Sequence, residues 1–279
     1  MNRREFLYEC GMGLAGAARL APNALPKRLL GRTGMEVSIL GLGTSHFHRL
    51  DENVCVSLVH AALDSGIDYL DTARAYGHGQ TEMLLGKALR GQRRDRVALV
   101  SKTWRRTANA ALDELAGSLQ SLRTDYLDIW MIHDFRTEAD WRALESPRGI
   151  LAAARRARER GWIRWIGLCA HRNAPLVARA LDTFPIDVVM LPAAPVVPGT
   201  PPMLPEILPT ARPRNTGLVG MRIIAASSRS AGNPMDPAAL RSALALPFAT
   251  AVMEWEHPRE LLEHVSLVTA GGLFRNQVA

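Results

Sequence analysis

The sequence predicts a single-domain α/β protein, a (β/α)8 barrel of the TIM type preceded by a short β-hairpin and an N-terminal leader. Three observations carry that prediction. Strand-like apolar runs alternate with amphipathic helical segments, eight of each along the chain, which favours a closed barrel over an open sheet. The length of 279 residues suits one such barrel, which takes about 250 residues. Four titratable side chains, Asp71, Tyr76, Lys102 and His133, lie at or just after the C-terminal ends of three successive runs, the end where a barrel builds its site.

The elements follow in order. Residues 1–24 read as a leader: Arg3-Arg4 precedes the apolar pair Phe6-Leu7, then comes a weakly hydrophobic Gly/Ala stretch from Gly11 to Ala18 and the helix breaker Pro22. This is the pattern of a twin-arginine export signal, too short to span a bilayer. It makes the export machinery an expected partner and the periplasm or exterior the expected location, with the cytoplasm as the alternative. The barrel unit is expected over 27–268 and a C-terminal tail over 269–279. Residues 28–30 and 37–40 flank Gly31-Arg32-Thr33-Gly34 as a hairpin, and its second strand runs on into Gly41-Leu42-Gly43. Helix 52–65 carries a buried stripe through Val54, Leu58, Ala61 and Leu63. Strand 67–71, helix 81–90, strand 96–101, helix 108–122, strand 127–132 and helix 150–160 complete the first half. The second half is strand 163–168, helix 174–183, strand 187–191, a proline-rich excursion with a short helix near 205–210, strand 218–225, helix 237–244, strand 250–254 and helix 258–267.

Composition narrows the function. An apolar content of 47% supplies one core, and no low-complexity stretch argues for disorder. The net charge is +7, but the densest basic run, residues 155–160, lies on a helix and includes Glu159, so it reads as a solvated face and not a nucleic-acid surface. Cys10, Cys55 and Cys169 are too few and scattered for a disulfide framework, and no pair has metal-ligand spacing; no metal and no iron–sulfur cluster are expected. Only Lys27, Lys87 and Lys102 are lysines, so at Lys102 an ammonium stands where arginine is the local default. A compact ammonium tunes a neighbouring pKa in a way a guanidinium does less well.

The four mouth residues taken singly have ordinary readings: a helix cap, an exposed aromatic, a strand-end lysine, a half-buried histidine. Taken together they suit reduction of a carbonyl. The Tyr76 phenol donates a proton, the Lys102 ammonium lowers its pKa, Asp71 keeps Lys102 charged, and His133 aligns the carbonyl oxygen.

Several segments add a family resemblance: Leu30-Gly31-Arg32-Thr33-Gly34-Met35-Glu36-Val37-Ser38, Gly41-Leu42-Gly43-Thr44, Asp71-Thr72-Ala73-Arg74-Ala75-Tyr76-Gly77, Glu82-Met83-Leu84-Leu85-Gly86-Lys87-Ala88-Leu89 and Val100-Ser101-Lys102-Thr103. In this order they resemble the aldo/keto reductases from about residue 27 to about 268. The resemblance implies a barrel enzyme that uses NADP(H) or NAD(H), a small-molecule carbonyl substrate, and Asp71, Tyr76, Lys102 and His133 as the catalytic tetrad. It places Thr44, Cys169, Met190, Ala225, Ser227, Ser228, Glu263 and His264 at cofactor positions, and His46, His48 and Trp104 around the substrate. The chain departs from the family pattern there. Cys169-Ala170 stands where a Ser-Asn pair reads the carboxamide, Met190 replaces a glutamine, and Ala193 replaces a tyrosine that stacks on the ring. Glu254 and Glu256 would repel a 2′-phosphate. A second reading is therefore an exported barrel that performs acid–base chemistry on, or binds, a carbonyl or sugar-like ligand without cycling a nicotinamide.

Overall fold

A computed structural model describes residues 25–91, 94–193, 202–223 and 237–269. Residues 1–24, where a leader is expected, the segment 224–236 with Ala225, Ser227 and Ser228, and the residues beyond 269 lie outside the described residues.

Lys27–Leu29 (β1) and Glu36–Ser38 (β2) pair antiparallel as a hairpin. Eight parallel strands then close the barrel: Leu40–Gly43 (β3), Tyr69–Asp71 (β4), Ala98–Thr103 (β5), Leu127–Ile132 (β6), Ile163–Cys169 (β7), Val188–Pro192 (β8), Gly217–Met221 (β9) and Thr250–Met253 (β10). Strand β10 pairs with both β9 and β3, which completes the circuit. The outer helices among the described residues are Glu52–Asp64 (α1), Gln80–Ala88 (α2), Ala108–Leu122 (α3), Glu138–Glu145 (α4), Ile150–Glu159 (α5), Ala174–Thr183 (α6), Leu204–Ala211 (α7), Pro237–Leu244 (α8) and Pro258–Thr269 (α9). None is long and apolar enough to cross a membrane.

The core has two layers, as strand alternation requires. One set of strand side chains meets the helices. The other fills the barrel, where Tyr69, Val100, Ile129, Met131, Cys169, Val188, Met190 and Val219 pack together. Leu30 and Val37 of the hairpin join this inner cluster, so the hairpin stoppers the N-terminal end of the barrel. The inner filling leaves no pore, and chemistry is confined to the opposite mouth.

Three differences from the sequence reading have local causes. The expected continuous strand through 37–43 is two strands, because Ser38 is pinned: its backbone N–H donates to Asp68 Oδ1 at 2.7 Å and its hydroxyl to the Leu40 carbonyl at 2.7 Å. Helix α4 was not expected, yet Thr137 and Asp140 form a capping box at its start. Strand β9 stops at Met221, well before residue 225, and Arg222 follows with a left-handed φ of 52°.

Candidate active site

Each mouth residue is delivered by a strand end. Asp71 ends β4, Lys102 is next to last in β5, and His133 follows β6 directly. The register pairs Asp71 with Val100 and Lys102 with Met131, which sets the ammonium beside the carboxylate. Tyr76 opens a short 3-10 turn, Tyr76–Gly79, that enters α2. Gly77 in this turn has φ 54°, and a Cβ there would come within 2.4 Å of His48 Cβ; both conditions require glycine.

The centre is dry. Lys102 is 1% exposed and donates to Asp71 Oδ1 at 2.6 Å, to the Thr72 carbonyl at 2.8 Å and to the Tyr76 hydroxyl at 3.5 Å. Burial alone would lower the Lys102 pKa, but Asp71, with Tyr76 behind it, raises it, so the side chain stays an ammonium. Burial raises the Asp71 carboxyl, opposed by the Lys102 charge. Tyr76 differs from the sequence expectation. Lys102 does pull the phenol pKa down, but burial is the larger effect and the net direction is up. The phenol is held as the acid form, the form that donates a proton.

His133 completes the arrangement. Its ring stands edge-on to Tyr76 at 5.8 Å and to Trp104 at 5.5 Å. Burial, then the neighbouring Lys102 charge, pushes its pKa down to about 2, so the ring is neutral. Trp104 is 59% exposed and forms the outer lip. His46 is buried, with Nε2 hydrogen-bonded to the Trp255 carbonyl at 2.8 Å, and His48 lies against the Tyr76 turn. The three expected pocket residues thus all border the β3, β4 and β5 ends of the mouth.

The expected cofactor positions divide. Cys169 and Met190 pair in register on β7 and β8, both buried in the inner cluster. The Thr44 hydroxyl donates to the Asp71 carbonyl at 2.9 Å, which positions Asp71. On α9, His264 is buried and its Nδ1 accepts from Trp255 Nε1 at 2.6 Å, while the exposed Glu263 pairs with Arg259. Ser45 donates to Glu254, whose charge acts on Asp71, so this carboxylate also faces the mouth.

Two supporting residues escaped the sequence reading. Arg74 Nη1 reaches Glu82 and Ser121, each at 3.0 Å, and fully buried Glu82 accepts from Ser101 at 2.7 Å, tying the Tyr76 turn to α2, α3 and β5. Arg106 donates to the His133 carbonyl at 2.7 Å and to Asp140 at 2.7 Å. Arg74 lay within a quoted motif; nothing in the sequence marks Arg106.

A closed parallel barrel with a buried Asp–Lys–Tyr cluster and a neutral histidine at its C-terminal mouth defines an acid–base site built for a polar group such as a carbonyl. The aldo/keto reductase family model matches residues 39–256, and the chain belongs to that family. Among curated proteins, Aldo-keto reductase YhdN of Bacillus subtilis is 41% identical over 117 residues, 36% of this chain and 35% of that one. The uncharacterized oxidoreductase YrpG of the same organism is 37% identical over 142 residues, 42% and 44% of the two chains. The chain thus matches less than half the length of either relative. A candidate aldo-keto reductase of Pseudomonas aeruginosa superposes with a TM-score of 0.73 at 26% identity, covering 90% of this chain and 97% of that one. The aldo-keto reductase AKR11C1 of Bacillus halodurans in its holo form gives 0.75 at 22% identity, covering 91% and 94%, a likeness of fold.

The family implies a nicotinamide dinucleotide, and the described mouth can accept its reacting end. Asp71 Oδ2, Thr72 Oγ1, His133 Nδ1 and His171 Nδ1 are buried there without partners. An unpaired buried polar atom costs about 1–3 kcal/mol, so these are the atoms a polar ligand would satisfy. Beside them Cys169, Ala170 and Met190 supply an apolar wall for a ring face.

Proposed function

We propose that this protein reduces a small aldehyde or ketone, with NADPH or NADH as hydride donor and Tyr76 as proton donor. One observation carries the reading: a buried Lys102 ammonium bridges Asp71 and the Tyr76 hydroxyl, in a mouth that also holds the neutral ring of His133. The dinucleotide would lie along Cys169 and Met190 and supply the hydride. The chain's own residues do the rest. His133 directs the carbonyl oxygen towards Tyr76, and the phenol delivers its proton as charge develops on that oxygen. Lys102 stabilises the phenolate left behind, and Asp71 keeps that lysine charged in a dry site. Trp104 and His46 shape the entrance.

Titrating the protein's tryptophan fluorescence with NADPH and with NADH tests the reading. Saturable binding of at least one is expected, and Tyr76→Phe should abolish carbonyl reduction with dinucleotide affinity nearly unchanged. Absence of binding by either at millimolar concentration would remove the hydride donor. The replacement of the carboxamide-reading and ring-stacking side chains by Cys169, Ala170, Met190 and Ala193 would then favour the second reading, acid–base chemistry on a carbonyl or sugar-like ligand.

A further inference from the structure

We infer that His133, Cys169 and His171 form a binding site for a transition metal ion of the Zn2+ class at the mouth of the barrel. Each offers one ligand atom, and the three atoms lie within 4.8 Å of one another. The barrel register makes the group. Cys169 is the last residue of β7, His171 lies two residues beyond it, and His133 follows the neighbouring β6, whose Ile132 is paired with Leu168. Sequence spacing hid the trio, because the third ligand arrives from a different strand.

The site is built from buried groups, with the Cys169 sulfur accepting from the Asp134 backbone N–H. His133 is 4% exposed and Cys169 1%, while His171 is half-buried at the rim. Nδ1 of both histidines is buried without a hydrogen-bond partner. In a tetrahedral zinc site, ligands ~2.0–2.3 Å from the ion stand about 3.5 Å apart. Closure from the observed spacing asks for roughly 1 Å of side-chain adjustment. Two imidazoles and a thiolate are a borderline-soft donor set that suits Zn2+ and disfavours Mg2+ or Ca2+. Three protein ligands leave the fourth position to water or a substrate oxygen, the pattern of open zinc sites.

Cations surround the trio: Lys102 acts on all three residues, Arg222 and then Arg172 act on His171, and Arg106 acts on His133, while Asp71 at 2.6 Å compensates Lys102. Asp134, whose Oδ2 pairs with Arg136 at 3.2 Å, acts on both Cys169 and His171, and its Oδ1 is buried without a hydrogen-bond partner, so a carboxylate backs the site. Metal and carbonyl substrate would compete for His133, so the ion would act as a switch on whatever reaction this mouth performs.

Cobalt(II) serves as the probe, titrated into the purified full chain freed of metal by chelation. A stoichiometric near-ultraviolet thiolate-to-cobalt band with tetrahedral d–d absorption is expected. Zn2+ should abolish both features, and excess Mg2+ should leave them unchanged. His171→Ala, at the rim, and Cys169→Ser should each lose the near-ultraviolet band, with folding checked by circular dichroism. No such band in the parent protein overturns the site. So does a band that survives Cys169→Ser, which would place the ion on another cysteine, or one that survives His171→Ala, which would remove His171 from the ligand set. The readout needs neither dinucleotide nor turnover, so it is decided independently of the reductase reading.

Discussion

At the scale of single residues, the Asp71–Lys102 pair links stability to the proposed chemistry. Two opposite charges buried together are tolerable; one alone is not, because the survivor keeps its desolvation penalty with no partner. Lys102→Met is expected to destabilise the fold by roughly 3–5 kcal/mol in urea unfolding, and adding Asp71→Asn should recover a large part of that loss. If the double variant proves less stable than the single one, the pair is not the source of the penalty. Tyr76 shows why residue types alone are insufficient. The chain contains the lysine that depresses a phenol pKa, but the direction of the net shift depends on how dry the phenol is, and burial wins.

At the scale of elements, the mouth is held by segments whose chemistry is local. Helix α4 starts at a capping box in which Asp140 accepts from the Thr137 backbone N–H at 2.9 Å and hydroxyl at 2.7 Å, and also from Arg106. Arg106 in turn holds the His133 carbonyl. Asp140→Ala is expected to cost about 1–2 kcal/mol, the scale of a lost helix cap, and to weaken the proposed carbonyl reduction by loosening His133. Thermal unfolding and steady-state rates read the two effects. Lower stability with an undisturbed rate would show that Arg106 holds the His133 backbone without Asp140. Close packing sets the same limits elsewhere. A Cβ at Gly86 of α2 would fall 2.4 Å from the Ser121 carbonyl of α3, so only glycine lets these helices approach.

At the scale of the whole molecule, closure of the barrel by β10 brings α9 against α1. His264 of α9 lies under Trp255 as a neutral imidazole that accepts from its indole N–H. Burial holds its pKa below the usual value, against the pull of Glu260 and Glu263. The sign follows directly. Below about pH 6.5 the unfolded chain takes up a proton that folded His264 refuses, so stability is full at neutral pH and declines as pH falls below that value. His264→Gln, which keeps an acceptor for Trp255, should flatten the dependence of Tm on pH between about 7 and 5 relative to the parent. An unaltered slope would assign the acid sensitivity to other groups.

Read alone, the chain already specified the alternation of strands and helices, the hairpin, and the four side chains at successive strand ends. Those features are periodic and local, so they are visible in the spacing of apolar residues and in short motifs such as residues 71–77. The same local logic should have revealed α4, whose Thr137-to-Asp140 cap is written in the sequence. What depends on register and burial became visible only in three dimensions. Lys102 reaches Asp71 because β4 and β5 pair at one offset. Arg106 supports His133 across a gap of 27 residues. His264, expected at a cofactor position, has its Nδ1 engaged by Trp255. The His133, Cys169 and His171 trio exists because two neighbouring strands end level with one another. Apolar periodicity is set by each segment's own geometry, whereas ion pairs, pKa shifts and ligand clusters are set by distances between segments and by the water excluded from between them.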